Sequence, residues 1–110
     1  MVDVEKISQV AMEIITYAGL AKSCYMEALL QFKSGAYDTS MRKLEEGDQS
    51  FSKAHGSHLQ TLSDEMNQRD PQITLLLTHA EDQLMSAETI KILVQEHIDI
   101  YKEMRGMKNE

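Results

Sequence analysis

The sequence is poor in the residues that break helices and in those that cross-link small folds. It contains one proline, five glycines, one cysteine and no tryptophan in 110 residues. A lone cysteine, Cys24, cannot form an intramolecular disulfide, so a disulfide framework is excluded and a reducing compartment is expected. Because Cys24 falls within an apolar helical pattern, we interpret it as a buried structural thiol rather than a reactive one.

Long hydrophobic runs and basic clusters are missing as well. No apolar stretch approaches the roughly 20 residues that span a bilayer, and the N-terminus lacks the basic and apolar regions of a signal peptide. Acidic residues number 18 against 11 basic ones, which gives a net charge of −7. No basic cluster is long enough to follow a phosphate backbone. We therefore expect a cytoplasmic protein with no direct membrane insertion and no bound nucleic acid.

What the sequence does contain is a helical spacing of apolar residues. Steps of three and four separate the members of a first stripe, formed by Val4, Ile7, Ala11, Ile14, Ala18, Ala21, Tyr25, Ala28 and Phe32. A second stripe near the C-terminus is formed by Ile73, Leu77, Ala80, Leu84, Ala87, Val94, Ile98 and Tyr101, with Lys91 as its one misfit. Strands would alternate every second residue, so both stripes predict helices that face a core.

Glycine, aspartate and proline divide this pattern into segments. Gly35 suits the left-handed position after a first helix, and Asp38 is a candidate cap for the second. Asp70 before Pro71 predicts the start of a third helix. We predict one all-α domain over residues 1–110. Its predicted architecture is an antiparallel up-down three-helix bundle with helices at about 4–33, 38–67 and 71–105.

Three residues inside the predicted helices need an explanation. Gly19 lies in the interior of the first helix, where glycine costs about 1 kcal/mol relative to alanine, so we favour the close approach of another group there. His55 and His58 are three residues apart in the second helix. A shared metal is disfavoured because no cysteine or carboxylate ligand pattern lies nearby.

The third helix carries an apolar flank in addition to its core stripe. At ~100° per residue, Leu75, Asp82, Leu93 and Ile100 fall on one line, with His79 between that line and the stripe. Exposed apolar surface of this kind indicates an interface, and a homo-oligomer is the economical explanation. Asp82 would be costly to bury there unless it were paired, protonated or bound to a cation, so we expect a divalent cation that bridges several copies.

Taken by itself, His79 is most simply interpreted as an ordinary helix residue. A resemblance to a known family changes this interpretation. The segment Leu75-Leu76-Leu77-Thr78-His79-Ala80-Glu81-Asp82-Gln83-Leu84-Met85 resembles the active-site segment of the IIA component of the bacterial sugar phosphotransferase system, in its lactose/cellobiose/chitobiose class. Supporting pieces occur in the same order along the chain: Ala18-Gly19-Leu20-Ala21-Lys22-Ser23, Glu27-Ala28, Ser34-Gly35-Ala36-Tyr37, Ala54-His55 and Gln60-Thr61-Leu62. The similarity extends from about residue 5 to 104.

The resemblance implies a fold, an activity and partners. It implies a homotrimer of three-helix bundles whose third helices meet near the axis. It implies that His79 accepts a phosphoryl group from the carrier protein HPr and passes it to a cysteine of the IIB component, during uptake of a β-linked disaccharide. It also implies that Asp82 of each subunit binds one divalent cation, typically magnesium, on the axis.

Two positions depart from the family pattern, which commonly has glutamine where this chain has Glu81 and histidine where it has Gln83. Gln83 is one turn after His79 and is expected to donate a hydrogen bond to a phosphate there, although it adds no positive charge. Two alternatives are a histidine phosphotransfer module of a signalling relay and a non-catalytic helical assembly protein. Signalling modules favour a lysine and small residues after the histidine, whereas Ala80-Glu81-Asp82 follow here.

Overall fold

A computed structural model describes residues 4–56 and 71–107, which form three α-helices and no strand. The helices are α1 (Val4–Lys33), α2 (Tyr37–His55) and α3 (Pro71–Met104). The turn between α1 and α2 is short, so these two helices run antiparallel. The C-terminal ends of α1 and α3 meet, so α3 runs parallel to α1. The prediction of an all-helical bundle is confirmed.

The core lies where α1 packs between its two neighbours. α1 makes extensive contacts with both α2 and α3, whereas α2 and α3 touch each other only briefly. Both predicted stripes face this core over residues 7–32 and 77–101, while the side chains of Val4 and Ile73 lie outside the described part of the chain. The fully buried members of the stripes include Ile7, Ala11, Ile14, Ala18, Ala21, Tyr25, Phe32, Leu77, Ala80, Ala87 and Val94. Among the described residues, no helix is long and apolar enough to cross a membrane.

The turn from α1 to α2 is closed by backbone hydrogen bonds around Gly35. Gly35 adopts a positive φ of 92°. Its N–H donates to the Phe32 carbonyl at 3.0 Å, and the N–H of Ala36 donates to Gln31 at 2.9 Å, the two bonds of a Schellman cap. The prediction for Gly35 is confirmed.

Both predicted ends of α2 need correction. Asp38 is not its N-cap, because the cap position is Ala36 and Asp38 lies in the first turn. The helix starts early because the Tyr37 ring packs against Phe32 at 4.7 Å between centroids. At its other end α2 stops at His55, where Gly56 turns away from helical geometry with ψ of −154°, so the predicted continuous helix 38–67 is wrong. Residues 57–67 of that range, including His58, lie outside the described residues, and so does the predicted cap Asp70.

Close approach of a neighbour occurs at Gly47 and not at Gly19. An added Cβ at Gly47 would lie 2.7 Å from Cε1 of Tyr25, whereas no described atom comes within 4 Å of the same position at Gly19. Among residues 4–56 and 71–107, the expectation of a close neighbour at Gly19 is therefore wrong. The Tyr25 hydroxyl donates to Oδ1 of Asp48 at 2.7 Å, and Nζ of Lys91 lies 3.0 Å from the same oxygen. Lys91, the misfit of the second stripe, thus reaches across to α2.

The C-terminal end of α3 is fastened to the α1–α2 turn by Arg105. Its guanidinium donates to the carbonyls of Phe32 (2.9 Å) and Lys33 (2.7 Å) and to the Tyr37 hydroxyl (2.9 Å). It also lies 5.0 Å from the centre of the Tyr101 ring. These contacts cap the last carbonyls of α1 and connect all three helices at one end of the bundle.

Candidate phosphoryl-transfer site on α3

His79 is an exposed residue in the N-terminal half of α3. Its neighbours Leu77 and Ala80 are buried in the core, which fixes the rotation of α3 about its axis. At ~100° per residue, this rotation turns His79 outward on the side of the helix nearer to α1. The imidazole is therefore accessible from outside the subunit while its backbone belongs to a packed element.

Gln83, one turn further along α3, is held by a residue of α1. Nζ of Lys22 donates to Oε1 of Gln83 at 2.6 Å, in a partly buried contact between residues 61 apart in the chain. Side chains four residues apart on a helix are neighbours, with about 5–6 Å between their Cβ atoms. The structure thus brings His79, Gln83 and Lys22 together. The sequence predicts a role for His79 and Gln83, whereas Lys22 carries no periodic signal that would assign it to the site.

Asp82 is exposed and lies on the predicted apolar flank. Three apolar members of that flank are largely open: Leu75 is 73% exposed, Leu93 52% and Ile100 51%. Within the subunit this face of α3 therefore has no cover among the described residues. Asp82 is three residues after His79, so its carboxylate lies on an adjoining part of the helix surface rather than across the bundle.

Glu81 lies on the other side of α3 from His79. Two residues correspond to a rotation of about 200°, and the half-buried Glu81 side chain lines a cleft with His55, Leu84 and Glu88. Its negative charge is separated from His79 by the helix itself, which lessens its influence on an anion bound there.

The remaining histidines and the cysteine have other contacts. His55 stacks on Phe51 with 5.9 Å between ring centroids, and Nδ1 of His97 donates to the Leu93 carbonyl at 2.7 Å. Cys24 is half-buried rather than fully buried, and burial raises its pKa above the ordinary 9.0. No three His, Cys, Asp or Glu side chains come together as a metal site in residues 4–56 and 71–107.

An all-helical subunit with an exposed helix histidine in this segment fits one class of protein, the IIA components of sugar phosphotransferase systems. The sequence model of the family described as "PTS system, Lactose/Cellobiose specific IIA subunit" matches residues 9–102. The chain belongs to this family, and it is therefore a phosphotransferase component of the lactose/cellobiose type. The resemblance noted from the sequence is confirmed.

Similar proteins cover nearly the whole chain. The lichenan-specific phosphotransferase enzyme IIA component of Bacillus subtilis is 34% identical over 93% of this chain and 96% of its own length. The oligo-beta-mannoside-specific EIIA component of the same organism is 35% identical over 86% of both chains. The crystal structure of the PTS cellobiose-specific enzyme IIA from Bacillus anthracis superposes with a TM-score of 0.79 and 30% identity, covering 98% of this chain and 97% of that one.

Proposed function

We propose that this chain is a phosphocarrier in which His79 accepts a phosphoryl group from phosphorylated HPr and passes it to a cysteine of the IIB component. The observation that supports the proposal most directly is the exposed position of His79, one turn before an amide that Lys22 holds in place. An accessible imidazole on a rigid helix suits a relay because docking and alignment with two partners provide most of the catalysis. We expect the step to occur in the cytoplasm.

The proposed relay conserves atoms and charge without a nucleotide. A lone pair on one ring nitrogen of His79 attacks phosphorus while the bond from phosphorus to the donor nitrogen breaks, and that electron pair returns to the donor. In the second step a cysteine thiolate of the IIB component attacks the same phosphorus. The P–N pair then returns to His79, which leaves as a neutral imidazole. We expect a side-chain N–H of Gln83 to donate to a phosphoryl oxygen in both steps.

The sugar served by this relay is proposed only as a class. The relatives are named for lichenan, oligo-beta-mannoside and cellobiose, and others for lactose, and these sugars share β-linkages. We infer that the chain serves the uptake of a β-linked disaccharide or a closely related oligosaccharide. No residue of the described helices is assigned to sugar binding, since the membrane component of such a system selects the sugar.

A homotrimer with one divalent cation explains the flank around Asp82. The exposed Leu75, Leu93 and Ile100 would be buried if the α3 helices of three copies met at an axis. Each Asp82 carboxylate offers one or two oxygens, and three copies together would suit the oxygen-rich shell of a hard cation such as Mg²⁺. The cation would neutralise carboxylates that otherwise repel one another, so its role would be in assembly.

The proposed relay is tested with phosphorylated HPr and three histidine variants. His79→Ala should abolish transfer of label to the chain, whereas His97→Ala and His55→Ala should accept label as the wild type does. His97 is a matched control because 18 residues correspond to five turns, so it occupies the same side of α3. Label retained by His79→Ala would overturn the proposal. Competition by a response regulator would instead favour the signalling relay, and no uptake of label by the wild type would favour a non-catalytic assembly protein.

A further inference from the structure

Lys22 is a half-buried cation on the side of α1 that faces α3. Its ammonium donates to Oε1 of Gln83 at 2.6 Å. An ammonium has no acceptor, so the carbonyl oxygen of Gln83 must face Lys22, and the NH₂ group of the amide must face away. The contact therefore fixes the orientation of the Gln83 amide as well as its place.

The oriented amide adjoins the proposed phosphoryl acceptor. His79 precedes Gln83 by one helical turn, and the two side chains are neighbours on the α1-facing edge of α3. With its oxygen held by Lys22, Gln83 presents only donors to a group bound on His79. The amide of an unrestrained glutamine can rotate so that either its NH₂ group or its oxygen faces the phosphoryl group, and the oxygen would repel a phosphoryl oxygen. The bond to Lys22 prevents this unfavourable orientation.

The site also needs positive charge. A phosphoryl group carries about −1.5 to −2 charges at pH 7, and it would be added to a chain of net charge −7 next to Asp82. Gln83 is neutral. Two other lysines are engaged elsewhere, because Lys91 is bound to Asp48 and Lys43 to Glu46. The ammonium of Lys22 contacts Gln83, one turn from His79, and this contact is partly buried, so screening by salt is reduced.

We propose that Lys22 is a positioning residue for phosphoryl transfer at His79. It holds the Gln83 amide with its N–H groups toward the phosphoryl oxygens and places a positive charge behind that amide. It forms and breaks no covalent bond in the transfer. This inference rests on the proposed phosphocarrier function, and it adds the element of the site that α3 does not itself contain.

The test uses phosphoramidate as a small phosphoryl donor, which removes protein docking from the measurement. Wild type, Lys22→Met, Lys22→Arg and a control Lys33→Met are loaded, and the bound phosphoryl group is titrated by ³¹P NMR. Lys33 is exposed and 11 residues further along α1, so the control removes the same charge about 16 Å away. Circular dichroism and urea unfolding check the fold of each variant.

Lys22→Met should raise the second pKa of the bound phosphoryl group, because loss of a nearby cation disfavours the dianion relative to its ordinary pKa of about 6. The equilibrium yield of phosphorylated protein should fall about tenfold, the effect of one hydrogen bond to a charged group. Lys22→Arg should restore most of both properties, and Lys33→Met should match the wild type. Gln83→Ala should lower the yield as well, and its effect should not add to that of Lys22→Met.

The outcomes separate this inference from the function on which it rests. A wild type that takes up no phosphoryl group contradicts the phosphocarrier proposal itself. A wild type that is loaded normally, with Lys22→Met unchanged in titration and yield, overturns the role of Lys22 alone. Additive effects of Lys22→Met and Gln83→Ala would overturn action through the amide. If Lys22→Met loses helicity, Lys22→Gln is measured by the same two readouts.

Discussion

The position of Tyr25 explains the presence of Gly47 and Asp48, which an apolar core pattern would not predict. It is fully buried, yet its hydroxyl has a partner in Asp48. One side of its ring lies so close to α2 that the neighbour there must lack a side chain, and this neighbour is Gly47. Lys91 completes the group by pairing with the same carboxylate. Burial raises the pKa of Tyr25, and the Asp48 carboxylate raises it further, so the hydroxyl keeps its proton and continues to donate.

Gly47→Ala should destabilise the protein, although alanine is ordinarily the better helix former. The new Cβ would lie 2.7 Å from a ring carbon of Tyr25, and overpacking of a buried site costs about 1–3 kcal/mol. That cost exceeds the ~1 kcal/mol that alanine gains over glycine in a helix interior. Urea unfolding at pH 7 should show a lower free energy of unfolding than in the wild type.

Gly19→Ala is the matched control for this variant, since its Cβ meets no described atom within 4 Å. We expect it to be neutral or more stable than the wild type by up to about 1 kcal/mol. The two glycine variants should therefore shift the urea midpoint in opposite directions. An equal shift in both would contradict the close approach of Tyr25 as the reason for Gly47.

At the scale of helices, the turn between α1 and α2 gathers the ends of all three elements. Arg105 follows the last residue of α3 and donates to the final carbonyls of α1 and to Tyr37 at the start of α2. The N–H groups of Gly106 and Met107 close α3 with bonds to Glu103 (3.1 Å) and Lys102 (2.8 Å). This end of the bundle is therefore fixed by hydrogen bonds in addition to apolar packing.

Arg105→Lys should loosen this end of the molecule. Lysine keeps the charge but lacks the planar fork that reaches three acceptors at once, and each lost hydrogen bond contributes about 0.5–1.5 kcal/mol. We expect a loss of about 1–2 kcal/mol in urea unfolding and faster amide exchange in the last two turns of α3. Arg42→Lys is the control, because Arg42 is exposed and donates to Thr39. Equal losses in both variants would indicate that the acceptors at the turn are unimportant.

The helices could be predicted from the sequence because their signal is local. Apolar spacing located α1 and α3 and all of their buried residues in the described part of the chain, and Gly35 marked the end of α1. The end of α2 was missed because apolar residues continue past Gly56, and their spacing outweighed one glycine. Lys22 and Arg105 could not be found in this way. Their partners lie 61 and 73 residues distant, and only packing brings such residues together.

The molecule extends 58 Å along its axis and 18 Å across, and one side of α3 carries the exposed side chains of Leu75, Leu93, Ile100 and Met104. Periodicity indicated that this flank existed, and Asp82 indicated that it was unusual. The family resemblance assigned His79 and Asp82 to separate roles. A rod of this size has a shallow core, so burial of Leu75, Leu93 and Ile100 between copies would contribute substantially to stability.

The variant Asp82→Leu tests whether a bound cation supports assembly or whether the apolar flank is enough to hold the copies together. In the wild type, we expect sedimentation to show a trimer whose thermal midpoint falls when a chelator removes divalent cations, because three uncompensated carboxylates then face one another. Asp82→Leu should remain trimeric and lose its response to the chelator, since leucine extends the line of Leu75 and Leu93.

The control is Glu88→Leu, which removes an exposed carboxylate six residues along and about 120° away on the same helix. This control should keep the chelator response. If the chelator leaves the assembly and thermal midpoint of the wild type unchanged, and Asp82→Leu behaves in the same way, the cation is excluded. If the wild type is a monomer, the symmetric interface is excluded and the exposed flank must serve a different partner.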